Sequence, residues 1–145
     1  MENQTSMDDL FLKKIHQHIE DNLGNENFSV EDLAKNAGLS RSMIHRKLIK
    51  LTGKSASDLI TETRLTYAKA LLEKDVATAS EIAYQVGFKS PSYFNKVFKK
   101  HYNVSPGNVR KGVTTFNNNN RELELEIQSS SLTPFYILNR KYSST

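Results

Sequence analysis

Apolar residues recur with helical spacing along most of the chain. Phe11, Ile15, Ile19 and Leu23 fall every four residues in LFLKKIHQHIEDNL, making one apolar stripe, with Asp8 or Asp9 placed for the N-cap and Gly24 for the stop. Ser29 and Asp32 form an S-x-x-D cap before VEDLAKNA, a short helix that Gly38 ends. Ser40 then caps RSMIHRKLIKL, which runs to about Thr52 before Gly53 breaks it. A longer helix is predicted over about 57–74, with Ile60, Tyr67, Ala68, Leu71 and Leu72 as its buried stripe. Ser80 opens EIAYQV, Gly87 terminates it, and Ser90-Pro91 starts SYFNKVFKKHY, since proline is favoured at the first helical position after a serine cap. Ser105-Pro106 opens a last short turn. No strand pattern precedes residue 112, so the expected fold class is all-α. Residues 1–7 read as a polar leader. Residues 112–145, with four consecutive Asn, three consecutive Ser and an isolated RELELEI alternation, read as a mobile or weakly structured low-complexity tail.

Part of the helical pattern occurs twice. DLAKNAGL at 32–39 matches EIAYQVGF at 81–88 with an offset of 49, pairing Leu33 with Ile82, Ala34 with Ala83, Gly38 with Gly87 and Leu39 with Phe88. Past the turn the offset becomes 50, pairing Ile44 with Phe94, Leu48 with Phe98, Lys50 with Lys100 and Ser55 with Ser105. Each copy is a short helix, a glycine turn and a longer basic helix. Small alanines allow close helix approach, and the glycine supplies the backbone freedom of the turn. This is the pattern of a helix-turn-helix, whose second helix enters the major groove of DNA. The expected organisation is a domain over 8–111, with a first unit at about 29–52, a connecting helix at about 57–74 and a second unit at about 80–102.

Charge sharpens that picture through its distribution. The chain of 145 residues carries 20 Lys+Arg against 16 Asp+Glu, a formal net charge of only +4. Yet Leu33–Ser57 and Ile82–Arg121 contain no acidic residue and hold 13 of the 20 basic ones. Clustered cations favour a polyphosphate, because each neutralised phosphate releases condensed counterions. The alternative reading is a helical interaction module whose basic faces bind an acidic protein partner.

The second helix of each copy divides into two faces. Ile44, Leu48 and Leu51 point inward in the first, and Phe94, Val97 and Phe98 in the second. Base-reading candidates on the opposite faces are Ser42, His45 and Arg46, and Ser92, Asn95 and Lys96. Arginine can grip guanine O6 and N7 with its fork, asparagine matches adenine, and lysine can meet guanine or phosphate. Phosphate candidates are Ser40, Arg41, Lys47, Lys50, Ser90, Lys99 and Lys100, the two serines through the amides of the helix N-termini they cap. Ile49 also falls on the first reading face and is a poor base reader.

These residues carry a family resemblance. GLSRSMIHRKLIKLTGKSASDLITETRLTYAKALL followed by EIAYQVGFKSPSYFNKVFKKHYNVSP resembles the DNA-binding domain of AraC-type transcriptional regulators, over roughly residues 8–111. Gly87-Phe88, Ser92-Tyr93-Phe94, Phe98-Lys99 and Ser105-Pro106 fall at the family's spacing. The first unit, with His45-Arg46-Lys47-Leu48, is similar to output domains of hybrid two-component regulators. The resemblance implies two helix-turn-helix subdomains joined by a long helix, reading successive major grooves of double-stranded DNA. It also implies control of transcription initiation, often through RNA polymerase. One departure lies after Pro106, where Gly107-Asn108-Val109-Arg110 keeps the family's arginine but lacks its aromatic neighbour.

Other chemistries find no support in the pattern. Zero cysteines remove disulfides, thiolate metal sites and thiol nucleophiles, which suits a reducing cytoplasm. No apolar run approaches the roughly 20 residues that span a bilayer. Thr52-Gly53-Lys54-Ser55 imitates the end of a phosphate-binding loop, but Leu48 stands where the motif requires glycine. His16 and His18 are two apart on a helix and diverge, unlike a metal-binding pair. No catalytic residue, metal or cofactor is expected, and the chain reads as a non-enzyme.

Overall fold

The computed structural model describes residues 2–112, and the expectations for the tail beyond Gly112, RELELEI included, lie outside the described residues. The described residues form helices α1 (Glu2–Asp21), α2 (Val30–Asn36), α3 (Arg41–Thr52), α4 (Ala56–Glu73), α5 (Ala79–Gln85), α6 (Pro91–Tyr102) and α7 (Pro106–Arg110), with no strand among them. The all-α expectation is met. The chain divides into two compact units, and the division falls between Thr63 and Arg64, inside α4.

In the first unit, the buried core consists of Ile15, Ile19, Phe28, Leu33, Ala34, Ile44, Leu48, Ala56, Leu59 and Ile60, with Phe11, Leu12, Val30, Ala37 and Leu39 packed against it. The four-residue stripe of α1 therefore does what its spacing requires. The start of α1 differs from the sequence reading. The helix begins at Glu2, so residues 2–7 of the expected polar leader are helical and neither Asp8 nor Asp9 is its cap. No glycine or proline interrupts residues 2–23, and Glu, Gln and Met are good helix formers, so nothing local stops the helix from growing upstream of its packed part.

The caps of α2, α3, α6 and α7 are Ser29, Ser40, Ser90 and Ser105, as their positions in the sequence require. Ser29 Oγ accepts the Asp32 N–H at 3.3 Å, while the Asp32 carboxylate accepts the Ser29 N–H at 3.0 Å and the Ser29 hydroxyl at 2.9 Å. The backbone N–H and then the hydroxyl of Ser29 hold the Asp32 carboxyl below the usual carboxylate range. In the second unit the cap of α5 is Thr78 and not Ser80: Thr78 Oγ1 accepts the Glu81 N–H at 3.2 Å and bonds the Glu81 carboxylate at 2.9 Å. T-x-x-E at 78–81 is the 49-residue echo of S-x-x-D at 29–32, so the repeat already marked the better cap. Thr78→Ala is expected to lower stability by about 1 kcal/mol, read as an earlier urea midpoint, whereas Ser80→Ala leaves the midpoint nearly unchanged.

Both turns close in the same way. The N–H of Leu39 bonds the Ala34 carbonyl at 2.9 Å, and that of Phe88 bonds the Ala83 carbonyl at 2.9 Å. This six-residue closure places the intervening Gly38 and Gly87 at φ +70° and +94°. A Cβ on Gly38 would meet nothing within 4 Å, so glycine is required there for its backbone alone.

In the second unit, Phe88, Phe94, Phe98 and Tyr102 form an aromatic ladder, with successive ring centroids 5.1, 5.4 and 4.7 Å apart. The last three stand four residues apart on one face of α6, and all four are buried. Tyr102 also supports Lys69, whose ammonium lies 5.4 Å from the ring centroid and 3.3 Å from the Glu73 carboxylate. Lys69 is only 5% exposed, so these partners compensate a cation removed from water. The expected α4 stripe of Ile60, Tyr67, Ala68, Leu71 and Leu72 is buried throughout.

Candidate nucleic-acid interface

The longer helix of each copy, α3 and α6, starts on a serine. Ser40 Oγ accepts the Met43 N–H at 3.2 Å, and Ser90 Oγ accepts the Tyr93 N–H at 3.2 Å. Each cap thus takes the third amide of its helix. The two N-termini are nevertheless unequal as phosphate cradles: α3 retains the amides of Arg41 and Ser42, whereas Pro91 has no N–H and α6 retains only that of Ser92. The far ends match again, with Gly53 at φ +73° and Asn103 at φ +60° in the left-handed conformation that closes a helix.

Burial separates the faces as the spacing requires. On α3, Ile44 and Leu48 are buried and Leu51 half-buried, while Ser42, His45 and Arg46 are exposed. On α6, Phe94 and Phe98 are buried and Val97 half-buried, while Ser92, Asn95 and Lys96 are exposed. Each unit therefore presents its three base-reading candidates on one outward helix face, without spending a core position on them. Ile49 is also exposed, at 42%.

The phosphate candidates divide further. Lys50, Lys99 and Lys100 are exposed, and no ion pair holds them among the described residues. Arg41 instead bonds the Glu31 carboxylate through Nη1, and both side chains remain exposed. Lys47 leans onto α1, with its ammonium 4.2 Å from the centroid of the Phe11 ring. Two further members of the acid-free windows are also paired. Lys54 lies 2.8 Å from Glu62, and Arg110 lies 2.6 Å from Asp75. The segment imitating a phosphate-binding loop is a helix junction: Thr52 Oγ1 donates to the Leu48 carbonyl, and Ser55 Oγ accepts the Asp58 N–H. Among the described residues no group of three or more His, Cys, Asp and Glu could hold a metal ion. No described helix is long and apolar enough to cross a membrane.

Two further surface residues stand beside the polar candidates without sharing their polarity. Met43 is 48% exposed and Tyr93 56% exposed, each at the third position of its helix beside the polar candidates. The 50-residue offset pairs them, and that register was the available signal. An apolar side chain at such a place can meet a thymine methyl, which a search for hydrogen-bonding groups overlooks.

Two helix-turn-helix units with outward basic helices define a class, and comparison with known proteins agrees. The model of a helix-turn-helix domain family matches residues 33–112. The chain is 41% identical over 102 residues to histidine kinase P4 of Formosa agariphila, covering 70% of this chain but 7% of that protein. It spans 32–38% of the length of the transcriptional activators it also matches. Among solved structures, a transcriptional regulator from Chromobacterium violaceum described by its AraC-type DNA-binding domain aligns with TM-score 0.67 and 26% identity, covering 73% of this chain and 94% of that one. The DNA-binding domain of the transcriptional factor AdpA, solved with a target DNA, aligns with TM-score 0.65 and 29% identity, covering 70% and 90%. The chain belongs to the AraC-type helix-turn-helix family.

Proposed function

We propose that this chain is the DNA-reading domain of a transcription regulator, a binding and not a catalytic element, with α3 and α6 each entering a major groove of double-stranded DNA. The observation that carries the reading is the repeated division of α3 and α6 into a buried apolar face and an exposed face bearing cations but no acid. Ser42, His45, Arg46, Ser92, Asn95 and Lys96 read base edges. Lys50, Lys99 and Lys100 neutralise phosphates, while Arg41 and Lys47 serve as phosphate contacts only after leaving Glu31 and Phe11. Kinship with a protein named as a histidine kinase supports a place as the output domain of a two-component regulator. Kinship with proteins named as transcriptional activators supports control of transcription initiation, with RNA polymerase as the partner.

Selection of sites from a randomised duplex pool, followed by titration at several salt concentrations, tests this reading. Binding should favour selected sites and weaken steeply with salt, and a chain that binds no duplex at low salt is not a DNA reader. Lys100→Ala should weaken selected and random duplexes alike and reduce the salt slope by about 1. A loss confined to the selected site would instead place Lys100 on a base.

A further inference from the structure

We propose, resting on the DNA-reading assignment above, that Asp8 on α1 competes with DNA phosphate for the basic cluster of α3 and so limits the sequence-independent part of the first unit's affinity. A cleft of about 310 Å³ in that unit is lined by Asp8, Met43, Arg46, Lys47, Lys50 and Leu51. Three cations and one carboxylate thus share a single concavity. Asp8 is half-buried there, whereas Arg46 and Lys50 remain exposed. The cation–π contact of Lys47 with Phe11 draws a third charge toward α1. These cations include the candidate guanine reader Arg46 and the candidate phosphate contacts Lys47 and Lys50.

Met43 and Leu51 add apolar surface to the cleft that the four charged groups line. Charges gathered in one cleft interact more strongly than charges spread over a surface. A carboxylate placed among cations stabilises them in the absence of DNA. An approaching phosphate then meets a partly neutralised cluster and the repulsion of Asp8 itself. Phosphates carry no base identity, so the part of the cost borne by Lys47 and Lys50 falls on every duplex alike. The upstream growth of α1 to Glu2 puts Asp8 inside a helix, which holds the carboxylate along this wall instead of on a loose leader.

Asp8→Asn and, as a control for net charge, Glu26→Gln in the exposed α1–α2 connection separate local competition from a general change in charge. Fluorescence anisotropy of the chain on a selected and a random duplex, at low and high salt, gives the readout. Asp8→Asn should bind both duplexes about three- to tenfold more tightly at low salt, with the gain shrinking at high salt. Asp8→Glu, which keeps the charge, should bind like the parent, and Glu26→Gln should gain about twofold or less. Unchanged or weaker binding by Asp8→Asn overturns the proposal, as does a gain confined to one sequence or matched by Glu26→Gln. A parent chain that binds neither duplex refutes the DNA-reading assignment itself, and the competition with it.

Discussion

Replacing Phe98 by Ala is expected to cost about 3–5 kcal/mol, enough to remove much of the stability of a unit this small. Phe98 is fully buried, with its ring centroid 5.4 Å from that of Phe94 and 4.7 Å from that of Tyr102. Truncation therefore deletes the transfer free energy of an aromatic side chain, leaves a cavity, and removes two ring contacts at once. The damage should be confined to the second unit at first, because the core of the first unit is built from other residues. Unfolding followed by hydrogen exchange should show lost protection in α5, α6 and α7 while amides of α2 and α3 keep theirs. A loss below about 1 kcal/mol would mean that the aromatic ladder is not what orders α6.

Arg46→Ala should cost about 1–3 kcal/mol on the selected duplex and relax the preference at one base pair. Arg46 is exposed on α3, and its fork can bond O6 and N7 of one guanine together. Arg46→Lys provides the sharper comparison: it keeps the charge, so the salt slope should hold, yet it loses the planar fork and should still relax the preference. A selection that returns the same motif for Arg46→Ala would remove Arg46 from base readout. If Asp8→Asn also strengthens binding, a double-mutant cycle with Arg46→Ala measures how far the two share the cleft.

Much of the fold was legible because the signals are local. The start of α3 after Ser40, that of α6 after Ser90 and Pro91, and the Ser29–Asp32 box each depend on groups within four residues of one another. Where the structure departs from the local pattern, the cause is local too. The polar stretch before Asp8 is part of α1, because a polar stretch without glycine or proline can remain helical. Ser80 stands nearer the first apolar residue of α5, but Thr78 is the cap because it pairs with Glu81 three residues on. Met43 and Tyr93 stand at matching places in the repeat, and their exposure of 48% and 56% shows that neither is a core residue.

By itself the sequence determined the succession of helices, the duplicated turn, the inward and outward faces of α3 and α6, and the concentration of basic charge in two windows of sequence without acids. Periodicity and capping act over one or two turns, and they are written in consecutive residues. Only the tertiary structure decided which cations remain available. Arg41 is tied to Glu31 ten residues away, Arg110 reaches Asp75 across 35 residues, and Asp8 joins Arg46 and Lys50 in one cleft. A charge acts through space, so its partner is chosen by the packing of helices, and a window of sequence free of acids is not a surface free of them.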